Sequence, residues 1–209
     1  MVHFYPTAQF GPAVDRSKPE VVEYFTKVAE YYVTEYDIDG WRLDTPQNHW
    51  NRDVVPGDHS SIELFRSVKS AITKIKPNAI LLAELPYCSP GDGALDEVCE
   101  ASYGHVLRKY LYLKILKGAY SSSELLRLLE KEREKIRYGR TRVYYFETQN
   151  GPRINRAAPQ LNRPLLVLIS TIPGVPMIQA GQEIGATNGY FSGKPSVEWS
   201  RGDYELREF

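Results

Sequence analysis

An α/β fold built on a parallel sheet is what this sequence predicts. Three observations carry the prediction. Apolar residues recur at helical spacing, short Val/Ile/Leu-rich runs follow them as strands buried on both faces would, and the helix-then-strand unit repeats along the chain. With 209 residues, 42% of them apolar and 12% aromatic, the chain can fill a core of ordinary size.

Ser17-x-x-Glu20 reads as a capping box, and Val21, Val22, Phe25, Val28, Ala29, Tyr32 and Val33 follow on one face. The expected helix runs from about Lys18 to Tyr36 and feeds a strand at Ile38 to Leu43. Ser60-x-x-Glu63 opens a second helix with Ile62, Phe65, Val68, Ile72 and Ile75 aligned; Pro77-Asn78 ends it before a strand at Ala79 to Ala83. A short strand near Leu95 to Val98, a helix from about Gly104 to Leu116 and a capped helix from Ser121-x-x-Glu124 to about Arg137 come next. The spacing then predicts a strand over Arg142 to Glu147, a helix over Asn162 to Thr171, a strand over Val175 to Gln179 and the first turns of a helix over Asp203 to Phe209. Units of this length suit an open doubly wound sheet or a barrel. Gly189 to Lys194 looks superficially like a phosphate loop, but its spacing is one residue short and Pro195 replaces the Ser/Thr, so it is read as an ordinary loop.

Charge excludes one class of partner. Acids and bases balance at 26 each, and the basic stretch from Arg127 to Arg142 is interleaved with Glu130, Glu132 and Glu134 as on a solvated helix face. Nucleic acid is set aside on that ground. The longest apolar run, Leu165 to Ile178, is broken by Pro173, Gly174 and Pro176 and is too short for a membrane span; without a leader-like opening, a cytoplasmic setting is expected. Cys88 and Cys99 flank a Pro-Gly-Asp-Gly turn and could close one loop, or stand as two buried thiols, the simpler reading for a single pair in a chain this long. No His, Cys and carboxylate spacing fits a metal centre, and no cofactor is implied.

Two carboxylates carry the chemistry. Asp44 ends the run Gly40-Trp41-Arg42-Leu43, and Glu84 sits in Leu81-Leu82-Ala83-Glu84-Leu85, so each arrives where a parallel strand delivers a side chain to the mouth of its sheet. Arg42 lies two residues before Asp44, on the same strand face, and would keep that acid ionised; burial of Glu84 among apolar neighbours would raise its pKa. One ionised and one protonated carboxyl is the requirement of glycoside hydrolysis. An Arg-x-Asp pair alone would read as a stabilising ion pair. Gln47 and Asn48 are candidate sugar hydrogen-bonders, while Trp50, Tyr87 and Tyr190 fall in loops after strands where a ring can stack on sugar; Trp41, on the opposite face from Arg42, is expected to pack in the core.

Four ordered stretches, Asp39 to Asp44, Leu82 to Glu84, Thr148 to Arg153, and Pro173 to Pro176 with Gly181 to Gly185, resemble motifs of the α-amylase family. The likeness is nearest to the neopullulanase and cyclomaltodextrinase branch and covers nearly the whole chain. The resemblance implies a partial (β/α)8 TIM barrel, about its last five strand-helix units, as one incomplete domain over 1–209 in which 1–17 is a preceding loop and 18–209 carries the barrel units. It further implies retaining chemistry on an α-glucan or maltooligosaccharide, with Asp44 as nucleophile, Glu84 as general acid/base and Arg42 holding the nucleophile. Glu183 is expected to be structural. The resemblance places Asn150 with the catalytic residues and Gln149 and Arg153 among the substrate contacts.

Two departures qualify what the resemblance implies. The family's third acid falls on Asn150 and its preceding histidine on Gln149, so no negative charge there meets an oxocarbenium-like transition state. The early Asn-His motif has no counterpart, since His3 and His49 lie in other contexts. Weak or absent hydrolysis follows, and the alternative is a catalytically decayed carbohydrate-binding or assembly module. About five strands leave two open edges, which a homo-oligomer or a complementing barrel half would cover.

Overall fold

The computed structural model describes residues 4–5, 13–44, 46, 60–84, 95, 97–136, 138–149, 151–188 and 196–209. They fall into two compact units. The first is Met1–Ser102 with Tyr138–Arg140, and the second is Tyr103–Arg137 with Thr141–Phe209.

In the first unit a two-residue antiparallel ribbon, β1 (Phe4–Tyr5) with β2 (Ala13–Val14), precedes helix α1 (Pro19–Tyr36). Ser17 does not cap α1. Its amide and hydroxyl both donate to Asp15 Oδ1, at 3.0 and 2.6 Å, and Pro19, with φ already helical and no N–H to satisfy, starts the helix behind Lys18. The helix stops at Asp37, left-handed at φ 51°, where Lys76 Nζ donates to both the Asp37 carbonyl and its carboxylate and also pairs with Asp39. Strand β3 (Gly40–Leu43), helix α2 (Ser60–Ile75) and strand β4 (Ile80–Ala83) follow as the spacing predicts. β3 and β4 pair in parallel from Gly40 opposite Ile80 to Leu43 opposite Ala83.

The expected strand at Leu95 to Val98 is instead a tight turn, in which the amides of Val98 and Cys99 both donate to the Leu95 carbonyl. The strand β5 (Ala101–Gly104) starts later, with Ala101 and Ser102 opposite Leu82 and Ala83. Glu100 sets this shift. Its carboxylate accepts from the Leu81 amide at 2.9 Å and pairs with Lys69 at 2.8 Å and Arg140 at 3.1 Å, so the chain is pinned one residue before the ladder begins. Around these elements Val33, Leu64, Val68, Ile72, Leu81, Ala83 and Cys99 form the core; Cys88, the other half of the loop-closing alternative, lies outside the described residues.

Gly40 is required where it stands. At φ 154° a Cβ there would lie 2.1 Å from the Ile80 carbonyl oxygen, and a backbone atom in a paired strand cannot swing aside. Gly40→Ala is therefore expected to cost about 2–4 kcal/mol, read as a lowered urea midpoint.

Glu100 makes stability depend on acid. Partial burial raises its pKa, but the Lys69 ammonium and the Leu81 amide outweigh that and hold it below the ordinary glutamate value. A depressed carboxylate contributes stability above its unfolded pKa and loses it as pH falls through the folded one. Glu100→Gln should thus cost about 1–3 kcal/mol at neutral pH and flatten the acid limb of the stability profile, whereas an unchanged acid limb would rule the pairing out as its source.

The second unit begins with α3 (His105–Leu113), a 3₁₀ turn and α4 (Ser122–Glu134), in which Ser121 Oγ accepts from the Glu124 amide as the capping pattern predicts. β6 (Thr141–Tyr144) and β7 (Val175–Pro176) pair in parallel through Val143 opposite Val175 and Tyr144 opposite Pro176. Between them come the single turn α5 (Ile154–Ala157) and α6 (Asn162–Thr171), and α7 (Tyr204–Glu208) follows, capped by Asp203. Leu107, Leu111, Phe146, Ile154, Leu165 and Ile169 fill this unit's core. No helix among the described residues is long and apolar enough to cross a membrane.

Candidate active site

The first unit brings Arg42, Asp44 and Glu84 together. Because Leu43 stands opposite Ala83 and the Glu84 amide donates to the Leu43 carbonyl at 3.0 Å, Asp44 and Glu84 leave adjacent strands at the same level. Side chains at matched positions of neighbouring parallel strands share a face about 4.8 Å apart. Arg42 lies on that face two residues back. One guanidinium nitrogen, Nη1, donates to Asp44 Oδ1, and the other, Nη2, pairs with Glu84 Oε2 at 2.5 Å. The expectation had Arg42 serving Asp44 alone; the fork between both acids depends on a cross-strand register that sequence spacing does not reveal.

Exposure separates the two acids. The Asp44 side chain is 77% exposed and open to a bound molecule, whereas that of Glu84 is 16% exposed. Beside β3 lies a cleft of ≈340 Å³ bounded by Phe25, Trp41, Arg42, Asp44, Leu64 and Phe65. Trp41 is half-buried against the core and meets Tyr32 edge to face, the packing role expected of it. Gln47, Asn48, Trp50 and Tyr87 lie outside the described residues, as do Asn150 and Tyr190.

In the second unit Gln149 is exposed. Arg153 is not placed to meet sugar. Its side chain is 5% exposed, and its three nitrogens are all engaged: Nη1 with Glu147 Oε2 at 2.9 Å, Nε with the Asn188 carbonyl at 2.9 Å and Nη2 with the Ala180 carbonyl at 2.7 Å. Glu147, 1% exposed, also accepts from the Ile154 amide at 2.6 Å. Burial pushes the Glu147 carboxyl above the ordinary glutamate value, against the pull of Arg153. This corrects the substrate-binding expectation for Arg153. A carboxylate closing the apolar run Val143 to Phe146 was the available signal, because a buried acid needs a cation.

His105 was passed over in the sequence. It begins α3 directly after β5, and its Nδ1 hydrogen-bonds the Tyr145 hydroxyl just past β6, with the Tyr103 ring against both. The carboxyl ends of parallel strands are where enzymes of this architecture work.

No family model matches the chain. Among curated proteins it is 26% identical over 196 residues to a cyclomaltodextrinase of Thermoanaerobacter pseudethanolicus, covering 90% of this chain and 31% of that one. A maltogenic alpha-amylase of Bacillus acidopullulyticus is 27% identical over 217 residues, covering 98% and 34%. The chain is similar in sequence to cyclomaltodextrinases and maltogenic amylases. Among solved structures, the cyclic alpha-maltosyl-(1→6)-maltose hydrolase of Arthrobacter globiformis superposes with a TM-score of 0.75 at 21% identity, over 94% of this chain and 44% of that one, and has also been solved with maltose. The α-amylase-family barrel is thus the fold, in part: the chain spans about a third of the length of the curated relatives it matches, 31% and 34% for the two named.

Proposed function

We propose that the chain belongs to the catalytic part of an α-glucan-acting glycoside hydrolase or transglycosylase that works with retention of configuration. The observation that carries this reading is the single Arg42 guanidinium shared by Asp44 and Glu84. Its two terminal nitrogens reach oxygens no more than about 7 Å apart. That reach suits the ~5 Å carboxyl separation of retaining enzymes better than the ~6.5–9.5 Å of inverting ones.

In the proposed cycle Asp44 attacks the anomeric carbon as the glycosidic bond breaks, and Glu84 gives its proton to the departing oxygen. A covalent glycosyl-Asp44 ester results. Glu84, now ionised, takes a proton from water or from a second sugar hydroxyl, which displaces Asp44 and leaves the product with the starting configuration. Arg42 donates to both carboxylates and so orients them while one or the other carries charge. A maltooligosaccharide is the substrate, no cofactor is called on, and the setting is cytoplasmic. A second copy or a complementing barrel half covers the edge of β3, beside which Phe25 and Tyr32 stand partly exposed on α1.

A second reading has one residue in its favour. Asn150 supplies no charge where the resemblance implies an acid, which suits a decayed carbohydrate-binding or assembly module. Asn150→Asp separates the two. Under the enzymatic reading it raises turnover of an activated α-maltoside by about a hundredfold, ~3 kcal/mol of transition-state stabilisation, and the first product seen by proton NMR is the α anomer. A β product would exclude retention, and no gain in turnover would favour the binding module.

A further inference from the structure

The second unit holds a polar cleft of ≈360 Å³ that shares no residue with the Arg42, Asp44 and Glu84 group. Asn155, Thr187, Asn188, Glu198, Arg201 and Asp203 supply its polar wall. We propose that this cleft is a second carbohydrate site, which takes one neutral pyranose unit of an α-glucan through its hydroxyls.

The wall is held before any ligand arrives. Buried Glu147 grips Arg153, whose Nε donates to the Asn188 carbonyl; the Asn188 side-chain Nδ2 donates to Glu198 Oε1 at 3.0 Å, and Glu198 Oε2 pairs with Arg201 at 2.9 Å. On the other side Asn155 Nδ2 donates to the Gly185 carbonyl, and the Asp203 amide to that of Ile184. Such a chain of bonds fixes donors and acceptors at little further entropic cost on binding.

Charge selects the ligand. Two carboxylates against one guanidinium disfavour phosphate and other anions. A cation is disfavoured because each acid is already committed: Glu198 to Arg201 and Asn188, and Asp203 Oδ1 to the Leu206 amide at the start of α7. Amides, a hydroxyl and half-used carboxylates are what a vicinal diol needs, since each sugar hydroxyl both donates and accepts.

The choice of an α-glucan rests on the functional reading above, and the test keeps the two apart. Maltose is titrated into the whole chain, uniformly nitrogen-labelled, and amide NMR shifts are followed. Saturable shifts at Gly185 to Asn188 and Glu198 to Asp203 are expected. Thr187→Trp, which fills the cleft, and Glu198→Ala, which removes an acceptor, should each weaken them about tenfold, while Glu84→Gln leaves them unchanged. Should Thr187→Trp fail to fold, Glu198→Ala carries the comparison. Absence of shifts in the folded protein, their loss in Glu84→Gln, or shifts with calcium chloride and none with maltose would each overturn the proposal. Maltose shifts at these residues in an Asn150→Asp chain without glycosyl transfer would sink the enzymatic reading and leave this site standing.

Discussion

In the Asn150→Asp background, Asp44→Asn is expected to lower turnover of an activated α-maltosyl substrate by about a thousandfold or more, roughly 4 kcal/mol of barrier, and to leave the fold intact. The two halves of that expectation have separate causes. An amide is a poor nucleophile toward an anomeric carbon and cannot form the ester on which the second step depends. Stability is spared because the Asp44 side chain is 77% exposed, and an ion pair so open to water contributes at most about 1 kcal/mol. Arg42 retains Glu84 in the variant. Initial rates and a urea midpoint measured on the same preparation check both halves: a loss of activity that tracks a loss of stability would mean that Asp44 holds structure and not chemistry.

The largest effect on stability is expected from Arg153→Ala, at about 3–5 kcal/mol near neutral pH. Removing the guanidinium strands Glu147 as a buried carboxylate and also leaves the Ala180 and Asn188 carbonyls without their donor. Since a folded domain has only about 5–15 kcal/mol in hand, a loss of this size populates unfolded chain at modest temperature. The pH sign is opposite to that of Glu100. Burial already holds the Glu147 carboxyl above its ordinary value, so its contribution is present below the unfolded pKa and is lost as pH rises through the folded one. Without Arg153 that carboxyl binds its proton more tightly still, and the variant's deficit should grow from mildly acidic to neutral pH. A deficit that does not vary with pH would place the cost in the lost carbonyl partners and not in the stranded acid.

Helices were the most legible part of the chain. α2 and α6 span the residues that their apolar spacing predicts, and α4 opens on its Ser121 cap, because those signals act within about one turn of backbone. Where two local signals compete, sequence reading misplaces the element. Ser17 has the right spacing for a cap, yet Asp15 is nearer and Pro19 supplies a start of its own. Strands were harder. The apolar letters at Leu95 to Val98 look extended, but Glu100, held by Lys69, Arg140 and the Leu81 amide, decides where pairing begins, and none of those partners is local. The site follows the same division. Asp44 and Glu84 were readable as strand-end acids, while the sharing of Arg42 between them depends on register between strands some forty residues apart. Arg153 looked like a ligand-facing arginine because its burial against Glu147 is a property of packing.

The central claim, that Asp44 is the nucleophile of a retaining pair with Glu84, meets its most direct test in mass spectrometry of the chain after incubation with a slow-releasing α-maltosyl fluoride. The account predicts one maltosyl adduct, mapped to the peptide that contains Asp44, which accumulates further in Asn150→Asp and is absent in Asp44→Asn. An adduct that persists at full level in Asp44→Asn, or that maps to a different carboxylate, would contradict it.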